Sequence, residues 1–221
     1  MPSTLAQLEA RVSQFLYDAA NAVFPTTAID EGLRLALAEY SLAAPLTRET
    51  VITLPGDGRE IALNNVTGLT RVTDVWWPYD SADSGAWPPN RPQGFRLWWD
   101  DAQPVLFLNT QGAGQPQLDD KVRLFYASDH TIQNLDSADI TTPPLTHESM
   151  LVLGAAGFAA LGRAMDLNED TSLNTSAVPN YAVLSSRWLR EFRKKLTALA
   201  AQPGGHEPWG AHGWSLDKWD V

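Results

Sequence analysis

Between Ser149 and Arg163 the chain carries no charge, and MLVLGAAGFAALG is apolar on nearly every side of the helix it would form. A helix that is apolar all round has to be buried all round, by a large core, by lipid or by other subunits. The run is shorter than the ~20 residues that a bilayer crossing needs, which leaves a core or a subunit interface. It follows a Pro143-Pro144 break, with Thr146 as the expected N-cap, and closes at Arg163, Asp166 and Asn168-Glu169-Asp170. Gly154, Ala155, Ala156, Gly157, Ala159, Ala160 and Gly162 leave most of its surface without large side chains. A glycine costs ~1 kcal/mol relative to alanine in a helix, so their recurrence implies that something packs very close. A central helix of a bundle and a helix at a subunit interface both satisfy this pattern.

With 221 residues, 44% hydrophobic and 19% charged, the chain is long enough for a real core and too apolar for disorder. It has no cysteine, which removes disulfides, thiolate nucleophiles and cysteine zinc sites together. The amphipathic N-terminus, without a basic start and apolar core, does not read as a secretory signal, so a soluble protein made in the cytosol is expected. A net charge of −10 disfavours general binding to nucleic acid by phosphate neutralisation. The same acidity suits a channel past which a duplex slides.

Residues 4–21 have helical periodicity, with Leu5, Leu8, Val12, Phe15, Leu16 and Ala19 on one face and a Thr4/Gln7 capping box. Thr27 is the expected cap of a second helix striped by Ile29, Leu33, Ala36, Leu37 and Tyr40, giving a helical hairpin. From Thr50 the period becomes two. Residues 50–54 and 59–63, around Pro55-Gly56-Asp57-Gly58, read as a β-hairpin. Strands are expected at 69–77, 95–99, 105–108 and 121–127, with a second hairpin at Asp100-Asp101 and a polar loop holding Trp87. After the apolar helix, a linker leads to a last helix over 181–201, where Arg187, Arg190, Arg193, Lys194 and Lys195 form the basic region of an acidic chain. These cations complement the helix dipole or meet an acidic partner. The expected fold is therefore α+β: about four helices in a bundle, an inserted antiparallel sheet or small sandwich, and an extended tail. The expected segments are 1–49, a helical hairpin; 50–130, an inserted β-domain; 131–203, helices completing the bundle; and 204–221, the tail.

The tail has no helical period, yet Trp209, Trp214 and Trp219 recur along it. Tryptophan is common at binding hot spots and rare in disordered tails, so docking on another chain and folding back on its own domain are the leading readings, ahead of an idle tail. In the β-region Trp76-Trp77 and Trp98-Trp99 each put one ring on either face of a strand. The outward rings meet a neighbouring subunit, form a sugar-binding platform, or pack only on the loop that holds Trp87.

No catalytic constellation is present. His147-Glu148 opens like a zinc-protease helix, but Leu151 stands where the second ligand belongs. Asp166 to Asp170 starts like a calcium loop, but Thr171 replaces its glycine and Ala177 its bidentate glutamate. His206 and His212 lack cysteine partners, and no phosphate loop or nucleophile elbow occurs. No enzyme activity, cofactor or metal is expected.

The strand Val122 to Tyr126, the Pro143-Pro144 loop, Glu148, the apolar and small residues Leu151 to Ala156, and Ala160 to Arg163 form a sequence that resembles the head-to-tail connector, or adaptor, proteins of tailed bacteriophages. The resemblance spans most of the chain, on loose motifs. It implies a structural virion protein: a homo-oligomeric ring, commonly twelve-fold, joining portal to tail in the neck of the particle, and located in the host cytoplasm before assembly. It also implies that the C-terminal tail contacts the portal protein through Trp209, Trp214 and Trp219, with Arg190, Arg193 and Lys194 beside them. Gly154, Gly157, Phe158, Leu161 and Trp87 would lie at subunit contacts, and the β-domain would meet a tail or neck protein. DNA would pass through without sequence-specific binding, and no membrane is involved. The β-region is larger and richer in tryptophan than in a minimal all-helical connector. That keeps open a carbohydrate- or protein-binding β-module of a neck or tail-completion protein.

Overall fold

The computed structural model describes residues 2–83, 88–101, 103–110, 114–169 and 177–201. The described residues form two compact units, one from residues 2–46 and 129–201, the other from Thr47–Ser128. The first holds helices α1 (Leu5–Phe15), α2 (Thr26–Ala43), α3 (Glu148–Glu169) and α4 (Ala177–Ala200). The second is built from strands β1 (Leu46–Thr53), β2 (Glu60–Ala62), β3 (Leu69–Trp76), β4 (Gly94–Asp100), β5 (Gln103–Asn109) and β6 (Lys121–Ser128). A four-helix bundle and two three-stranded sheets thus realise the expected α+β class.

The Thr4/Gln7 capping box is formed, with the Thr4 N–H donating to Gln7 Oε1 at 2.9 Å. Helix α1 nevertheless stops at Phe15, short of the expected Asn21. Tyr17 turns into the left-handed region at φ 57°. The Asp18 carboxylate then accepts the N–H groups of Ala22, Val23 and Phe24 at 3.0, 2.8 and 2.7 Å. These bonds, led by Phe24, hold the Asp18 carboxyl below the usual carboxylate range. They also satisfy backbone donors that a longer helix would have used internally. The expected cap at Thr27 is corrected in the same way. Pro25 occupies the N-cap of α2, and its carbonyl accepts from Ala28 and Ile29 at 2.9 and 3.2 Å.

Helix α3 is the centre of the bundle, with Leu151, Ala155, Ala156 and Ala160 fully buried. Thr146 is not its cap. A 3₁₀ turn, Leu145–His147, led in by Pro144, precedes the α-helix, which starts at Glu148. A Cβ on Gly154 would stand 3.0 Å from Ala36 Cβ and from the Phe192 ring, and one on Gly157 2.8 Å from Leu189 Cδ2. The close neighbours of both glycines are therefore the chain's own α2 and α4. Gly162 faces open space and is not a close-packing position. The tightest approach falls elsewhere: a Cβ on Gly32 of α2 would lie 2.5 Å from the Ala155 carbonyl oxygen. By length and composition the segment Leu145–Leu167 is apolar enough to cross a bilayer. In the bundle, α1, α2 and α4 all pack against it.

One sheet has the order β1-β6-β3 and the other β2-β5-β4. The expected β4–β5 hairpin is present, closing at the Asp100↔Gln103 pair. The expected hairpin of 50–54 with 59–63 is not, because β1 and β2 belong to different sheets. The turn residues bond instead to the segment before β6. Leu54 N–H donates to the Asp120 carbonyl at 2.8 Å, Leu118 N–H to Asp57 Oδ1 at 2.8 Å, and Gly58 N–H, at φ 141°, to the Pro116 carbonyl at 3.0 Å. The chain crosses between the sheets there, and Leu54, Ile61, Leu63, Val75, Leu106 and Leu124 join one core.

Candidate functional site

Among the described residues no group of three or more His, Asp or Glu side chains is placed to hold a metal ion. Two histidines of the described chain, His130 and His147, have structural partners. The His130 Nε2 lies 2.8 Å from the Ala44 carbonyl and its Nδ1 2.9 Å from Thr142 Oγ1. A carbonyl only accepts, so Nε2 carries a proton and donates it to Ala44. His147 Nδ1 lies 2.7 Å from the Tyr40 hydroxyl, whose pKa burial pushes up.

Glu148 is a buried tie point. It is 0% exposed and accepts from Ser3 N at 2.7 Å, Ser3 Oγ at 2.8 Å and Arg11 at 2.5 Å. Thr141 Oγ1 adds a bond to the Ser3 carbonyl at 2.7 Å. The glutamate that opens α3 thus anchors the segment before α1, and its negative charge suits the positive end of the α3 dipole. Sequence inspection notes Glu148 as a motif residue, but nothing local names Arg11 or Ser3 as its partners.

The remaining candidates divide by location. Trp209, Trp214, Trp219, His206, His212 and Trp87 lie outside the described residues. On α4, Arg190 and Lys194 are exposed, while Arg193 holds Glu39 of α2 through contacts of 2.6 and 3.0 Å. Gly154 and Gly157 are filled from within, Phe158 is half-buried against the core, and Leu161 is exposed. In the β unit Trp77 is buried, whereas Trp76 is half-buried with the Arg123 guanidinium 4.9 Å from its ring centre. Trp99 is more than half exposed.

The helical unit also has an apolar groove of about 410 Å³ between the start of α2 and the last third of α3. Sequence periodicity did not mark it, since it arises where Leu35, Leu161 and Met165 from two helices converge on open space.

Comparison with known proteins brings out weak structural likenesses. The chain is similar to one in the neck of an empty GTA particle computed with C6 symmetry, at TM-score 0.29 and 16% identity, covering 85% of this chain and 92% of that one. It is also similar to a chain of the virion of a native gene transfer agent (GTA) particle, at TM-score 0.29 and 18% identity, covering 83% and 87%. No protein-family model matches the chain, and no curated protein matches it.

Proposed function

We propose that this chain is a non-enzymatic structural protein of a phage-like neck: a head-to-tail connector whose copies form a ring between portal and tail. The observation that carries this reading is where the connector-like pattern falls in the fold. Val122 to Tyr126 lie in β6, Pro143-Pro144 lead into the turn before α3, Glu148 is buried at its start, and the small residues are its packing face. In this reading residues 204–221 reach the portal, with Trp209, Trp214 and Trp219 as anchors and the exposed Arg190 and Lys194 nearby in sequence. The β unit meets the tail side, and the acidic chain lets DNA pass without sequence readout.

Removing residues 204–221 tests the reading. The shortened chain is expected to keep its helical circular dichroism and its thermal transition and to lose the ability to join portal-bearing heads to tails. Unchanged joining would sink the docking role of the tail. The sugar-binding alternative rests on Trp99, and glycan-array binding abolished by Trp99→Ala would favour it.

A further inference from the structure

Among the described residues, two exposed surfaces of the helical unit that carry apolar side chains differ in charge. The α2/α3 groove exposes Leu35 by 42%, Leu161 by 39% and Met165 by 60%. Among the described residues Glu31 and Asp166 line it, with Arg163 as the one cation. Glu31 is shared with Arg34 at 3.2 Å, whereas Asp166 has no ion pair among the described residues. The second surface is on α4, where Val183 is 67% exposed and shares a surface with Arg187 and Arg190. Among the described residues only those of α4 line it, and it shares none with the groove.

We propose that the groove of one copy receives the Val183–Arg190 face of α4 from a second copy. This rests on the ring reading and names the two surfaces that would build it. Charge decides the occupant. In a chain with 26 acidic and 16 basic residues, Arg187 and Arg190 stand together on one helix face, and a second copy offers an acid-flanked apolar groove. Like-on-like pairing would set arginines against arginines or carboxylates against carboxylates. The contact is therefore head-to-tail, which closes a ring when the rotation permits and otherwise propagates a filament. Long arginine stems extend the apolar part of the contact while their charged ends meet the rim.

The chain has no cysteine, so introduced thiols report without background. Leu161→Cys marks the groove and Val183→Cys the α4 face, each in the full chain. Under mild oxidation, free at high concentration and in assembled particles, neither single variant is expected to dimerise alone. Their mixture is expected to give covalent dimers, and the chain with both thiols a ladder of oligomers. Adding Arg187→Glu and Arg190→Glu is expected to lower the yield about tenfold, equivalent to ~1.4 kcal/mol. Dimers of one single variant, a disulfide within one copy, or no ladder in either setting overturns the proposal. A missing ladder from chains located in the neck removes this contact and leaves the neck reading. A ladder from chains that never reach a neck keeps the contact and removes that reading.

Discussion

Gly32 shows how one hydrogen in place of a methyl group sets the spacing of two helices. A Cβ there would lie 2.5 Å from the Ala155 carbonyl oxygen, a backbone atom that cannot swing aside. Gly32→Ala is expected to cost ~1–3 kcal/mol by overpacking, whereas Gly162→Ala, in open space, is expected to gain up to ~1 kcal/mol of helix propensity. Urea midpoints of the two variants measure both signs, and an unchanged Gly32→Ala would mean that α2 can move away from α3. The glycine pattern in α3 was legible in the sequence, but its partner was not. Gly32 is isolated in an otherwise ordinary amphipathic helix, and only the crossing of α2 over α3 gives it a role. Titration adds a second residue-scale effect. Burial, then a hydrogen bond and charge repulsion from Asp30, raise the Glu9 carboxyl from 4.5 to about 7. A carboxyl raised in the fold is favoured protonated, so its contribution is intact below about 4.5 and is lost as pH rises toward 7. Glu9→Gln is expected to flatten stability across that window. At pH 8 it should add about 1 kcal/mol, with one pKa unit worth ~1.4 kcal/mol and solvent screening limiting the total. Denaturant midpoints from pH 4.5 to 8 check the slope, and an equal slope in both proteins would discard this assignment.

At the scale of elements, a carboxylate at the first position of α3 holds the start of α1. Arg11 is 39% exposed and Glu148 0%, so the two ends of their ion pair are unequal. Removing Arg11 leaves a buried charge that keeps only its Ser3 bonds. Arg11→Met is therefore expected to cost ~3 kcal/mol, the lower end of what a broken buried pair loses. Adding Glu148→Gln should recover part of that loss, since it removes the uncompensated charge. A double-mutant cycle by urea unfolding measures the coupling, and strictly additive losses would show that the pair does not act as a unit. Elements whose partners are near in sequence were legible: the α1 capping box, the β4–β5 hairpin and the alternation in β6. Those set by remote partners were not. Pro55-Gly56-Asp57-Gly58 has the composition of a hairpin turn, but its donors and acceptors are taken by residues 116–120. Local period also overran the end of α1, because three backbone bonds to Asp18 outweigh one more helical turn.

At the scale of the molecule, the bundle is interrupted by the β unit and closes without it. The chain leaves after Ala44 and returns at His130, whose N–H donates to Ser41 Oγ at 2.9 Å and whose Nε2 reaches the Ala44 carbonyl at 2.8 Å. The ends of the insertion are thus fastened together inside the helical unit. The bundle core, from Leu8 through Ile29 and Leu151 to Phe192, forms its own cluster. Such a unit needs little from the inserted segment, because closing a shorter loop lowers the entropic cost of bringing the same ends together. Replacing residues 47–128 by a short Gly-Ser linker is expected to leave a chain with helical circular dichroism and one cooperative thermal transition. Tested for assembly, that chain separates the two halves of the proposed role. If copies contact through α2, α3 and α4, it still forms the disulfide ladder while losing attachment to tails. A bundle that melts without a transition would show instead that the helices depend on the β unit for their fold, and that the fastening at His130 is not enough to define a domain.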